Sequence, residues 1–198
     1  MTASDFQRLW DAVSPKTAPI PYTLKFAYPD RWFRIHSLPG SKRYAETPEE
    51  KSILLGRQNE LMTDLLGSDA AAVLVTGDYC SSLPAAAHIT IRDPLFHPYA
   101  FTQVEPVDLH AYYPEEDFGP GRLYRPAFAE TFWSPHRHDP LLMGIADDVQ
   151  RAVFISPANH AVVAPYDGGI DCILKDTAAR DVYKVKYKEW LSPRDDGF

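Results

Sequence analysis

Arg31, Arg34, His36, Lys42 and Arg43 crowd around the loop Ser37-Leu38-Pro39-Gly40-Ser41. Arginine offers a planar fork of donors that fits a carboxylate or phosphate, and a tight loop adds backbone N–H groups. Arg34, His36, Lys42 and Arg43 are therefore candidates for an anion site. The competing reading is a solvated strand face followed by a turn, because the segment lacks the glycines and the Lys-Ser/Thr of a P-loop. A second compact segment, Tyr166-Asp167-Gly168-Gly169-Ile170-Asp171, combines two carboxylates with turn residues. Asp at a turn bonds to nearby backbone, and the glycines permit positive φ. The spacing is too short for a calcium loop, so a structural turn is favoured there.

Among the seven histidines, His136-x-His138-Asp139 is the best metal candidate. Residues two apart in a strand share a face, so both imidazoles would reach one ion. A third ligand would have to come from His97, His110 or His160, and a polar, proline-bounded loop accounts for the pair as well. Neither metal nor cofactor is expected. No G-x-S-x-G elbow is present, and neither Cys80 nor Cys172 sits in a catalytic context. Glu115-Glu116-Asp117 reads as an exposed acidic loop, since burying three adjacent carboxylates without partners is costly.

The elements that must position these groups can be read from periodicity. Phe6, Leu9, Trp10 and Val13 mark a first helix capped by Ser4 or Asp5, and Ser14-Pro15 ends it. In RWFRIHSL, Trp32, Arg34, His36 and Leu38 take one parity and Phe33 and Ile35 the other, which predicts a strand. Thr47-x-x-Glu50 is a capping box with Pro48 at the first helical position. It opens a helix to Leu66 whose apolar stripe is Leu54, Leu61 and Leu65, with Leu55, Met62 and Leu66 beside it. Gly67 falls where a left-handed cap belongs. Residues 71–77 and 86–92 read as strands. Segments near 99–104, 107–113 and 127–133 are weaker candidates, because proline interrupts them. A helix is expected from Asp139 to about Val149. Two strands, AVFISP and HAVVAPY, would be joined through Pro157-Ala158-Asn159, and Asp167-Gly168-Gly169 turns into a further strand, IDCIL. A final helix from Asp176 carries Tyr183, Tyr187, Trp190 and Leu191 on one face. Helices at both ends and one in the interior, with short consecutive strands between, predict an α+β fold with a largely antiparallel sheet and flanking helices.

The 198 residues suit one domain, 1–198. Apolar residues at 45% and aromatics at 13% place the chain among folding sequences. No apolar run reaches the roughly 20 residues of a membrane span. The N-terminus lacks the pattern of a signal peptide, and the two distant cysteines suit buried, reduced thiols, so a cytoplasmic location is expected. The net charge of −7 is uneven, because residues 101–148 hold 3 basic and 9 acidic residues. That distribution argues against nucleic acid, which calls for a basic stripe, and leaves room for a cationic protein partner.

Arg34-Ile35-His36-Ser37-Leu38-Pro39-Gly40-Ser41-Lys42-Arg43-Tyr44-Ala45-Glu46 and Ala164-Pro165-Tyr166-Asp167-Gly168-Gly169, with Asp171, resemble the signatures of an uncharacterised bacterial domain-of-unknown-function family. The C-terminal Trp190-Leu191 agrees with that family's helix ending. The resemblance covers residues about 22–66 and 140–191, and implies no activity. Small proteins of this kind often accompany toxin loci. The leading expectation is therefore a non-enzymatic protein-binding module, in its specific form an immunity protein neutralising a basic toxin. Glu115, Glu116 and Asp117 would steer the encounter and Trp133 would anchor it. The alternative is a small-ligand or anion-binding protein, or an enzyme, built on Arg34, His36, Lys42 and Arg43 with Tyr166, Asp167 and Asp171. Either way the two polar segments are expected to meet in space. A closed ion pair would make them a latch, and an open pocket a ligand site.

Overall fold

A computed structural model describes residues 1–21, 24–80, 93–194 and 197. The elements run α1 (Ala3–Val13), α2 (Leu24–Ala27), β1 (Trp32–His36), α3 (Pro48–Leu66), β2 (Ala70–Cys80), β3 (Thr102–Gln103), β4 (Val107–Asp108), α4 (Leu109–Tyr112), β5 (Leu123–Trp133), α5 (Asp139–Ala146), β6 (Val153–Ser156), β7 (Ala161–Tyr166), β8 (Gly169–Ile173) and α6 (Thr177–Lys186). The strand expected at 86–92 lies outside the described residues. Every pairing is antiparallel, in the order β1-β8-β7-β6-β2-β5-β3, with β4 also against β5.

Both faces of this sheet are covered. Successive strand residues point to opposite faces, so Ala72, Leu74, Phe154, Val163, Ile170 and Cys172 pack with α3, α5 and Tyr187. Their neighbours Val73, Val75, Ile155, Val162, Ala164 and Ile173 pack with Phe6, Trp10 and Leu24 of α1 and α2. Arg34 and Asp171 share the parity of this second set, so the fold sets two charges on a largely apolar face.

Local sequence explains the helices. Thr47 accepts from the Glu50 N–H at 3.2 Å while the Glu50 carboxylate accepts from the Thr47 N–H at 3.3 Å. Gly67 follows at φ 92° and ψ 141°, positive in φ but extended rather than left-handed helical. For α1 the cap is Thr2, two residues before Ser4, and Asp5 is its partner in the capping box: Thr2 accepts from the Asp5 N–H and Asp5 serves as the reciprocal acceptor. The α5 helix stops at Ala146, short of Val149. The last helix begins under the Asp176 cap and ends at Lys186, and Trp190 belongs to a separate 3-10 turn.

Proline breaks the strands less than expected in one place. β5 passes through Pro126 for 11 residues. It does so because β3 pairs Ala127 and Phe128 while β4 pairs Leu123 and Tyr124, leaving the proline at the gap between them. Pro126 still contributes its carbonyl, which accepts from the Val104 N–H at 3.0 Å. The segments before β5 shrink to two-residue strands, and 109–112 is helical because the Asp108 side chain caps it. Both cysteines are free thiols. Cys172 is buried as expected, but Cys80 at the end of β2 is only half-buried.

The α3 stripe supplies Leu61, Met62, Leu65 and Leu66 to the first core layer, while Leu54 packs with Leu38 and Ala146. Leu54, Leu61 and Leu65 are all buried, Leu61 completely. Leu61→Ala is expected to lower the unfolding free energy by about 2–5 kcal/mol, read as a shifted urea midpoint with an unchanged slope. A loss under about 0.5 kcal/mol, typical of a surface change, would contradict this packing.

Candidate functional site

The two polar segments meet because β1 and β8 are neighbours, with Arg34 directly across from Asp171. The Arg34 guanidinium donates through Nε and Nη2 to the two Asp171 oxygens at 2.8 and 2.9 Å. Trp32 Nε1 donates to the same carboxylate at 2.8 Å, and the guanidinium lies over the Tyr166 ring at 4.6 Å. Both partners are largely buried, 10% and 16% exposed. A second pair closes beside it. Arg43 Nε donates to Asp167 Oδ2, and the Tyr44 hydroxyl donates to that same oxygen at 3.0 Å.

Backbone contact holds the two segments in register. The Ser37 N–H donates to the Gly168 carbonyl at 3.2 Å. The glycines of this turn would permit positive φ, but neither Gly168 nor Gly169 adopts it. Close approach is the reason at Gly169: a Cβ there would lie 1.9 Å from the Ile35 carbonyl oxygen. Positive φ is needed at Gly40 and Ser41 instead, at 63° and 57°, where the chain reverses after β1.

The arrangement is both a latch and an open cleft. The ion pairs are closed, yet they line a cleft of about 400 Å³ at the end of the sheet. Arg34, His36, Arg43, Tyr166, Asp167 and Asp171 all border it. Lys42 does not. Its ammonium is drawn to Glu46 at 2.9 Å and Glu50 at 2.7 Å, at the start of α3. The cleft also includes Asp148, Gln150 and Arg151, which sequence reading missed. They come from the α5–β6 connection, where Arg151 pairs with Asp148 at 3.1 Å. Among the described residues that line it the fixed charges thus balance, three arginines against three aspartates. Burial and the neighbouring Arg34 lower the His36 pKa, so the imidazole is neutral at pH 7. Burial raises the Tyr166 phenol well above its usual range, so it stays protonated.

The histidine pair diverges. His136 is exposed, at φ 65°, and its Nδ1 lies 2.9 Å from Asp139. His138 is buried, stacked on Trp133 at 5.4 Å, with Nδ1 against the Tyr99 hydroxyl at 2.7 Å and Nε2 against the Phe132 carbonyl at 2.9 Å. Both its nitrogens are therefore committed to the core. Among the described residues no group of three or more His, Cys, Asp or Glu is placed to hold a metal ion.

Burial lowers the His138 pKa below its ordinary 6.5. The unfolded chain then binds the proton that the folded chain refuses, so stability falls as pH drops below about 6.5. His36 shifts in the same direction and adds to the slope. Denaturation midpoints measured from pH 7.5 to 5 are expected to decline, and less steeply in His138→Gln. An unaltered slope in that variant would show that His138 titrates normally.

The proposed partner residues separate. Glu115, Glu116 and Asp117 are exposed in the α4–β5 connection, and none of the ion pairs among the described residues engages them. Trp133 is completely buried, which corrects its assignment as an anchor. It also lies at the far end of β5, roughly 30 Å from the acidic loop along a strand rising about 3.3 Å per residue. Of the aromatics near the acids, Tyr112 is exposed, at 44%, while Tyr113 and Phe118 are half-buried.

Fold and site together define an α+β protein with helices on both faces of an antiparallel sheet and a charge-balanced cleft at one end. The chain belongs to the family described as Domain of unknown function (DUF3885), which matches residues 20–195 and so spans both cleft-forming segments. No curated protein and no solved structure matches it significantly. No helix among the described residues is long and apolar enough to cross a membrane.

Proposed function

We propose that this protein binds a small polar ligand in the cleft between the β1–α3 loop, the β7–β8 turn and the α5–β6 connection. The observation that supports it most directly is convergence: charged residues from three distant parts of the chain border one concavity of about 400 Å³. A volume near the lower end of small-molecule sites suits a metabolite-sized molecule. The Arg34–Asp171 pair gives the cleft a rigid wall, because each partner's orientation is fixed by two or more hydrogen bonds. Arg43 and Arg151, more than half exposed, are the cations a ligand meets first.

An NMR titration of the whole chain against a panel of small polar compounds tests this reading. Saturable shifts are expected at Ser41, Asp148 and Gly168. Shifts scattered over the surface, or no saturable shift with any compound, would overturn it.

A second reading is favoured by the acidic loop. Glu115, Glu116 and Asp117 are exposed beside Tyr112, in the segment that holds most of the net negative charge. Such a loop suits a basic protein partner, with an immunity role against a toxin as its specific form. Changing all three acids to lysine would then slow association and flatten its salt dependence, while a cleft variant such as Arg151→Gln would leave association unchanged. The opposite pattern would assign partner binding to the cleft.

A further inference from the structure

We propose that the ligand is a small zwitterion, a molecule of free amino-acid type with one anionic and one cationic group a few bonds apart. This rests on the cleft being a ligand site, and it adds the class of ligand. The wall carries Arg34, Arg43 and Arg151 against Asp148, Asp167 and Asp171. Each carboxylate is already held by one of the arginines, at Arg34–Asp171, Arg43–Asp167 and Arg151–Asp148. A simple anion entering this cleft meets as many carboxylates as guanidiniums and gains little net attraction. A simple cation meets the same opposition. A ligand with both signs escapes it, because each end is matched by a wall charge of the opposite sign.

The atoms left for such a ligand are identifiable. Arg43 engages Asp167 through Nε, which leaves the two Nη groups of a 62% exposed arginine. Arg151 engages Asp148 through Nη2 and is 63% exposed. These are the donors for the anionic end. Asp167 is the fixed acceptor for the cationic end. Its side chain is only 8% exposed, and Oδ2 takes both Arg43 and the Tyr44 hydroxyl. No donor among the described residues bonds its Oδ1, and the residue lines the cleft. An ammonium at Oδ1 would therefore complete a buried carboxylate without displacing an existing pair. His36, held neutral by its surroundings, adds no charge to upset the balance.

Calorimetric titration of the whole chain tests the class. The probes are free amino acids with acidic, basic and neutral side chains, their N-acetylated and their carboxamide forms, and inorganic phosphate. At least one free amino acid is expected to bind saturably. Blocking either its amine or its carboxylate should weaken it about tenfold or more, the factor that one lost charged contact of about 1.4 kcal/mol would give. Arg151→Gln, at a residue too exposed to hold the fold together, should weaken the free amino acid and leave its carboxamide form unchanged. Asp167→Asn should weaken the free amino acid and its carboxamide form and leave the N-acetylated form unchanged, because it removes the benefit of the amine. Phosphate binding more tightly than every amino acid, or blocked forms binding as well as the free one, would overturn the zwitterion while leaving the cleft as a ligand site. No heat from any probe, together with a failed NMR titration, would overturn both.

Discussion

Asp171→Ala is expected to destabilise the protein by about 3–5 kcal/mol, the usual cost of removing one partner from a buried ion pair. Arg34 is 10% exposed, so the guanidinium loses its carboxylate where water replaces it poorly. The Trp32 indole N–H loses its acceptor in the same step. Against a typical total of about 5–15 kcal/mol, that loss is severe. Replacing both partners, Arg34→Met with Asp171→Leu, should cost much less, because the penalty arises from the stranded charge rather than from the lost attraction. A double-mutant cycle by urea denaturation separates the two. If Asp171→Ala unfolds at the wild-type midpoint, water reaches Arg34 and the latch does not exist. Arg43→Ala gives the contrast within the same cleft. Its side chain is 62% exposed, which screens the pair, while the Asp167 carboxylate it leaves behind is 8% exposed but keeps the Tyr44 hydroxyl, so a loss smaller than that of Asp171→Ala is expected.

The latch was legible from sequence because parity and polarity agreed. A strand with Phe33 and Ile35 on one face must put Arg34 on the other, and Asp171 stands between Ile170 and Cys172 in the same way. Two charges forced onto a largely apolar face need each other. The helix α3 was legible for a related reason, since its cap, its first-turn proline and its apolar stripe all name the same boundaries. What sequence hid was register. Asp148, Gln150 and Arg151 reach the cleft only because β6 runs antiparallel to β7, which brings the residues before Val153 level with Pro165 and Tyr166. No local periodicity carries that information. Lys42 was misplaced because charge alone does not choose a partner: the capping box at Thr47 brings Glu50 within 2.7 Å, and the lysine follows it. The glycines of the β7–β8 turn would permit positive φ, whereas Gly169 is required by a neighbouring strand's carbonyl that the turn sequence does not reveal.

Trp133 shows the same limit, and it carries the second large effect. An aromatic in an acidic segment suggests an interface anchor, but strand alternation decides otherwise. Phe132 points outward, 59% exposed, and Trp133 points into the core with no exposed surface. There its Nε1 donates to Thr63 Oγ1 of α3 at 3.0 Å. Its ring stacks on His138 at 5.4 Å and meets the edge of Phe154 at 5.7 Å. The indole thus joins α3, β5 and β6 at one point. Trp133→Ala is expected to cost about 3–5 kcal/mol, since it removes the transfer energy of a large ring and leaves a cavity that three rigid elements resist filling. Phe132→Ala, one residue away, should stay within about 0.5 kcal/mol. Urea denaturation of the two variants therefore measures the register of β5 directly. Equal losses, or a larger loss at Phe132, would require the strand to be shifted by one residue, which would turn each of its side chains to the opposite face.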